Sequence, residues 1–387
     1  MIELLVMFLL LIVFVAWCSW NADTDYKYPK QLAFNLGSIA LLSWYVFQVL
    51  PLGSFLVFYA LASSCYMSTW PRLNHFCSKE KKRNFLFLNA VSTQFIDTLV
   101  LVLMFLFFPT KMLRPLFDIM PIVSIIGAIW TFIPYKVKCE RLNQDVRCWG
   151  YGANSSVNST LMSLIAMASL GSLLPYHLGL IGWCIGFLAV IRSMGSAGII
   201  GISAGSFIYG LYHNPIIPFI VTGIVLLTLP LWWNWSKSKM CNCTPLVLFG
   251  RKMHPFFSLS YRDIIYKFAW KSVYQKYAHK WFGIGNGTFY YAMPAIQIVE
   301  KEETYLKTKQ VVMWLHSTFF QWAIEGGKVG AVLLVLAMAE LIFIGHKDAF
   351  FMSFSACLFI NSCFNFPDKM PVDSFLSVMV IKKLVYS

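Results

Sequence analysis

Apolar residues gather into runs of about 20, long enough to cross a bilayer core as helices, with short polar breaks between them. The runs lie near 3–20, 32–49, 53–69, 85–108, 115–134, 158–174, 177–192, 195–211, 215–233, 328–345, 349–365 and 371–385. Pro51 and Gly53 split one long apolar stretch into a tight helical hairpin, since proline lacks the N–H that a helix interior needs. Pro175, Pro215 and Pro218 mark short connections or helix starts. The first run, Leu4 to Trp20, has no basic residue before it and no small-residue cleavage site after it, so it reads as a retained helix. The pattern predicts an all-α, polytopic transmembrane bundle of about 12 spans. No internal repeat is visible, which counts against the inverted-repeat transporters.

One connection departs from this rhythm. Residues 234–327 form a long polar segment rich in Lys, Arg, Tyr and Trp, and loops of that length are usually functional. The predicted organisation is therefore transmembrane helices over 1–233, a large loop over 234–327 and the last spans over 328–387. Within the loop, "YRDIIYKFAWKSVYQKY" places Ile264, Ile265, Phe268 and Ala269 at helical spacing between basic residues. Two placements fit this helix: flat on the membrane surface, or packed on its neighbours within the loop. With 12 spans, the connections at 21–31, 70–84, 135–157, 193–194, 234–327 and 366–370 share one face, and that face carries nearly all the polar chemistry.

Composition agrees with the pattern. The chain is 58% hydrophobic and 12% charged, with a mean hydropathy of +0.64, whereas soluble domains are about 25% charged. The net charge of +14 would suggest nucleic acid in a soluble protein. Here the basic residues sit in the connections, which points to anionic lipid or a phosphorylated lipid substrate, with topology signalling accounting for some of them. Several of the 10 cysteines (Cys18, Cys65, Cys184, Cys357) lie inside apolar runs, where packing explains them. Cys139 and Cys148 share one polar connection and are a candidate bridge in an oxidising compartment. Cys241 and Cys243 with His254 are too sparse for a zinc site. Asp97 and Glu340 sit within apolar runs, where an ionisable group is a functional candidate by default.

The stretch "WLHSTFFQWAIEGGKVG" (314–330) sits at the mouth of a predicted span. His316 and Ser317 are followed by nine residues and then Gly327 and Gly330, a pattern H-[S/N]-x9-G-x-x-G. It resembles the signature of the O-antigen ligase and O-antigen polymerase superfamily, polyprenyl-diphosphate-dependent membrane glycosyltransferases. Other stretches are similar to that family in the same order. "GYGANSSVNST" looks like its small-and-Asn motif opening a mid-chain helix. "YRDIIYKFAW" and "WFGIGNGTF" look like its Arg–aromatic and G-x-G-x-G loop elements. "FNFPDKMPVDSFL" is similar to the Phe-Pro-x-x-x-Pro lead into the last helix. The resemblance covers roughly 150–385, and order and spacing carry it, since each motif alone is short.

The resemblance implies separable roles. A lipid-diphosphate donor needs cations to hold it and to stabilise charge building on the leaving group, and arginine binds phosphate oxygens bidentately. Arg192 and Arg262 are the candidates. In "VIRSMGSAG" the arginine precedes Ser193, whereas the family places its basic residue after a serine, so the register differs. His316 is the candidate general base for the acceptor hydroxyl, carried on a short surface helix. Glu325 is a candidate for orienting a sugar or the histidine. Gly326, Gly327 and Gly330 suit a break before the span. Gly283, Gly285 and Gly287 of "GIGNG" are candidates for presenting backbone amides to an anion, and without a strand before them they do not make a dinucleotide fingerprint.

The bland readings of these residues are a snorkelling helix end for Arg192, a solvated helix face for Arg262, a packed histidine, an exposed helix-end glutamate and a plain turn. No D-x-D pair stands in a surface setting suited to a metal-bound nucleotide sugar, and the family is taken as metal-independent, with no cofactor. The implied donor is an undecaprenyl-diphosphate-linked glycan, and the acceptor a hydroxyl on lipid A core, a growing glycan or a protein. A transporter or flippase of lipid-linked glycans is the competing class, but charge here gathers on one face and not along a lumen. The implied location is the bacterial inner membrane with the active face periplasmic. The positive-inside rule opposes this orientation, since Lys79, Lys81, Lys82 and Arg83 outweigh the sparse opposite connections.

Overall fold

The computed structural model describes residues 110–139, 142–148, 155–193, 195–213, 246–248, 251–253, 265–278, 280–284, 289–300, 315–365 and 371–386, with isolated positions in 101–108 and 216–223. These residues are mostly helical. They fall into two compact units, one drawn from 109–258 with 345–387, the other from 259–344.

In the first unit, a single 3-10 turn (Thr110–Met112) leads into α1 (Leu113–Phe132). The strands β1 (Pro134–Cys139) and β2 (Leu142–Cys148) follow, then α2 (Ser155–Ser169), α3 (Tyr176–Ser193) and α4 (Ser196–His213). A second ribbon, β3 (Leu246–Leu248) and β4 (Arg251–Met253), lies in the large loop. Both ribbons are antiparallel hairpins. They qualify the all-α expectation, and both occupy polar connections that sequence periodicity left as loops.

The register of the first hairpin overturns the 139–148 bridge. Cys139 pairs with Leu142 beside the turn, and Cys148 pairs with Pro134 at the far end. Five residues of extended chain separate the two levels, about 17 Å at the usual rise, and a disulfide spans under about 7 Å between Cα atoms.

The first unit closes with α8 (Ala349–Phe364) and α9 (Pro371–Tyr386), which follow three helices of the second unit in the chain. Asp348 caps α8 by accepting from Phe351 N at 2.8 Å, satisfying a donor that the first turn leaves open. The helices approach closely because small residues face one another. A side chain on Gly182 of α3 would meet the Cα of Pro121 in α1 at 2.6 Å, and one on Gly205 of α4 would meet the Ser353 carbonyl of α8 at 2.6 Å. Such close contact is how helices associate where no hydrophobic gain separates lipid from protein. Thr110–Phe132 and Thr318–Gly345 are long and apolar enough to cross a membrane; His177–Ser193 and Ala349–Phe364 are apolar but shorter.

The interior of this unit is unusually polar on one stripe. Asn158, Ser159, Thr160 and Ser163 of α2 are all fully buried. Asn158 Nδ2 donates to Thr131 Oγ1 at 3.1 Å and Ser193 Oγ at 2.7 Å, tying α2 to α1 and α3. Asn361 Nδ2 donates to Ser163 Oγ at 3.0 Å, and Asn365 Nδ2 to Thr160 Oγ1 at 2.8 Å, tying α8 to the same stripe. Each amide therefore joins its helix to at least one other at a defined register, with a buried hydrogen bond worth about 1 kcal/mol net but more to break on one side.

The expected spans at 115–134, 158–174, 177–192, 195–211, 328–345, 349–365 and 371–385 each coincide with a helix, with ends shifted by a few residues and the fifth starting earlier, at Thr318. The runs at 3–20, 32–49 and 53–69 lie outside the described residues, as do nearly all of 85–108 and 215–233. Gly205→Leu should separate α4 from α8 and lower stability by about 1–3 kcal/mol, the usual cost of overpacking. Thermal unfolding of the detergent-solubilised chain would measure it.

Candidate functional site

The second unit holds the loop helices and the opening stretch of the last part of the chain. A helical stretch over 265–277, α5, contains a π-helical segment at Ala269–Tyr274; α6 runs Phe289–Val299 and α7 Thr318–Gly345. Ile265, Ala269, Val273 and Tyr274 of α5 share one core with Ile284, Phe289, Ala292, Met293 and Ile296, and with Leu315 and Ile324. The apolar stripe seen in the sequence is thus buried against neighbouring elements, the second of its two placements. Lys267, Trp270 and Lys271 face outward.

Gly327 divides α7. Its backbone has φ 62° and ψ −159°, far from helical, so a short helical segment from Thr318 ends there and an apolar helix begins. Gly283, with φ 69°, has the other positive-φ glycine backbone among the described residues. The two glycines pack on each other. A side chain on Gly283 would strike the carbonyls of Ile324 and Glu325, and one on Gly327 would strike the backbone of Trp281, Phe282 and Gly283. Three backbone bonds fasten the joint: Ile284 N donates to Ile324 O at 3.0 Å, Val329 N to Trp281 O at 3.0 Å and Lys328 N to Lys280 O at 3.3 Å. Gly283 of "GIGNG" and Gly327 of "EGGKVG" are therefore two sides of one contact, and Gly283 serves docking with its neighbour's amide already engaged. Gly285 and Gly287 lie outside the described residues.

His316 sits two residues before α7, not on it, which corrects the expectation of a histidine carried on the short helix. It is the one non-glycine residue with positive φ, 53°, among the described residues. Left-handed backbone costs an L residue about 1–2 kcal/mol, and such strain persists where surrounding contacts over-determine it. Those contacts are visible. Tyr266 Oη donates to the His316 carbonyl at 3.3 Å. Leu315 N donates to Gln321 Oε1 at 3.4 Å, and Ser317 Oγ accepts from Phe320 N at 3.3 Å, capping α7. The histidine Nδ1 is buried, while the residue as a whole is partly exposed.

Glu325 is 1% exposed, so it is neither a solvated helix end nor open to a sugar. Its Oε1 accepts from Phe289 N at 3.1 Å, meeting the first-turn amide of α6, and from Gln321 Nε2 at 3.3 Å. Gln321 thus links the residue before His316 to Glu325, and Glu325 links α7 to α6. The aromatic rings of Tyr266 and Phe320 pack at 4.9 Å beside this network, with Trp270 stacked on Tyr274 at 4.4 Å. Burial pushes the Tyr274 phenol above its ordinary range, so it keeps the proton it donates to Lys280 O at 2.9 Å.

Arg192 belongs to the first unit. It is 5% exposed in the last turn of α3, beside Ser193, so it is buried where a snorkelling end would reach out. Arg262 lies outside the described residues, as do Asp97, Cys241, Cys243 and His254. Glu340 is partly buried on α7. Asp373, in the first turn of α9, escaped sequence reasoning. It is fully buried, and neither carboxylate oxygen has a hydrogen-bond partner among the described residues. No group of three or more metal-ligating side chains is present among the described residues.

No family model matches this chain, and no curated protein matches it in sequence.

Gly327→Ala and Gly283→Ala should each destabilise the second unit, since in both the new methyl meets backbone. Glu325→Ala should cost about 1–3 kcal/mol by leaving the buried Phe289 amide unmet. Hydrogen exchange over 289–299 would accelerate selectively in the glutamate variant.

Proposed function

We propose that this chain is a polytopic membrane glycosyltransferase, of the O-antigen ligase or polymerase type, built as a bundle of about 12 spans. It moves a glycan from undecaprenyl diphosphate to an acceptor hydroxyl on lipid A core, a growing glycan or a protein, in the bacterial inner membrane with its active face periplasmic. The observation that carries this reading is His316 itself: a histidine in left-handed backbone, clamped by Tyr266 and set just ahead of a glycine joint at the head of an apolar helix. A packed histidine needs no such conformation.

The chemistry follows from these residues. The acceptor oxygen attacks the anomeric carbon as the bond to the diphosphate breaks, which inverts the configuration. The imidazole of His316 takes the hydroxyl proton, since its affinity for protons lies near neutral pH. The diphosphate leaves with the bonding pair, and arginines stabilise that charge without a proton of their own to lose. Arg262 takes this part. Glu325 has a supporting role, holding the joint rather than the substrate.

Asparagine enters left-handed backbone more readily than other side-chain-bearing residues, so His316→Asn should fold as well as the parent. It should lose about 10²- to 10⁴-fold in transfer, the usual share of a general base. Purified protein, a lipid-linked glycan and candidate acceptors test this, with donor binding measured alongside. Parental turnover in a folded His316→Asn chain would reduce the histidine to packing. Arg262→Lys should weaken donor binding although charge is kept. Cys139 and Cys148, too far apart to bridge, should both react with an impermeant thiol reagent in intact cells without prior reduction. Labelling in lysed cells alone would reverse the orientation.

A further inference from the structure

We propose that the Trp281–Phe282 turn is an interfacial anchor, seated at the boundary of phospholipid headgroups and acyl chains, and that it sets the depth of the His316 loop. The inference rests on the reading of residues 328–345 as a membrane span. Trp281 is 57% exposed and Phe282 44% exposed, a large apolar surface for a turn whose backbone is fixed on both sides. The backbone of that turn is not free to fold the rings inward. Gly283 is locked on Gly327, and Trp281 O accepts from Val329 N.

The position of the turn on α7 identifies its partner. Lys328, Val332, Val335, Leu336, Ala339, Ile342 and Phe343 are all exposed. Their spacing of three and four makes one continuous stripe down the helix. Val335 at 65% and Phe343 at 78% exposed make this stripe an acyl-chain surface. Lys328 tops it, with its Nζ 5.4 Å from the Trp281 ring, and exposed Lys280 adjoins it. The two lysines and the two aromatic rings thus gather at the head of the stripe, and apolar side chains continue down the helix from there. That is the order of chemistry met on passing from lipid phosphate through the headgroup boundary into the core, and amphipathic aromatic rings concentrate at that boundary. The apolar helix beyond the joint, 18 residues from Lys328 to Gly345, rises about 27 Å, close to the thickness of a bilayer core. Because the same joint carries Ile324, Glu325 and the loop before Thr318, fixing the turn at the boundary fixes the histidine's height above it.

The test uses the full chain reconstituted in vesicles of phosphatidylethanolamine and phosphatidylglycerol. A photoreactive benzoylphenylalanine is placed at position 282, at 335 within the stripe, and at 267 on the outward face of α5. After irradiation, lipid adducts are counted by mass spectrometry. Adducts at 282 and 335, each at several times the yield at 267, are expected. Adducts at 335 with none above the 267 level at 282 would overturn the anchor and leave the span standing. Absence at both 282 and 335 would overturn the span reading itself. The depth role is read separately in Trp281→Ser with Phe282→Ser, both exposed, with thermal unfolding measured to confirm that the variant folds. KM for the lipid-linked donor should rise several-fold with little change in kcat, and an unchanged KM would overturn that role.

Discussion

Everything described in the second unit depends on one contact between main chains. Gly283 and Gly327 meet with no side chain between them, and both hold backbone angles that only glycine adopts without penalty. Remove that contact and three further features lose their support. α7 has no reason to break at Gly327, the amide of Ile284 loses its acceptor, and Glu325 no longer reaches the start of α6. His316 is not in the joint, but the residues that hold its strained backbone are carried by the elements that the joint assembles.

The first unit uses a different principle. Its helices are held at close range by glycine and serine and given register by buried amides, Asn158, Asn361 and Asn365, each bonded across to a neighbouring helix. Apolar packing alone would leave such helices free to slide, because one smooth aliphatic surface fits another at many offsets. A buried amide has few satisfactory positions, and leaving one costs its desolvation. Arg192 and Asp373 sit fully within this kind of interior. Charged side chains in such a setting are not there to keep the chain in solution.

The helices were legible in the sequence because their apolar runs are long and their breaks are marked by proline and glycine. What could not be read was whatever depends on pairing across distance. Nothing local in "PYKVKC" or "LNQDVRC" announces a hairpin, and only its register separates Cys139 from Cys148. Glu325 looked exposed because it stands at the mouth of an apolar run, yet its partner at Phe289 lies 36 residues away. His316 and the glycines were found by spacing, and Gly327 does break the helix as that spacing required. The partner of Gly283 was not legible, since a motif of alternating glycines says that backbone must come close to something without saying to what.

The π-helical segment in α5 has a consequence for the histidine that neither end of the helix shows alone. A turn closed by i→i+5 bonds holds one more residue than an α turn, so residues on its two sides fall out of phase. Here those residues are two tyrosines. Tyr266, before the segment, reaches the carbonyl of His316, and Tyr274, at its end, reaches the carbonyl of Lys280. Rewound as an ordinary helix, α5 would bring one hydroxyl to its carbonyl and swing the other aside. The wide turn works as a vernier, setting two distant loops in step with a single residue's slack.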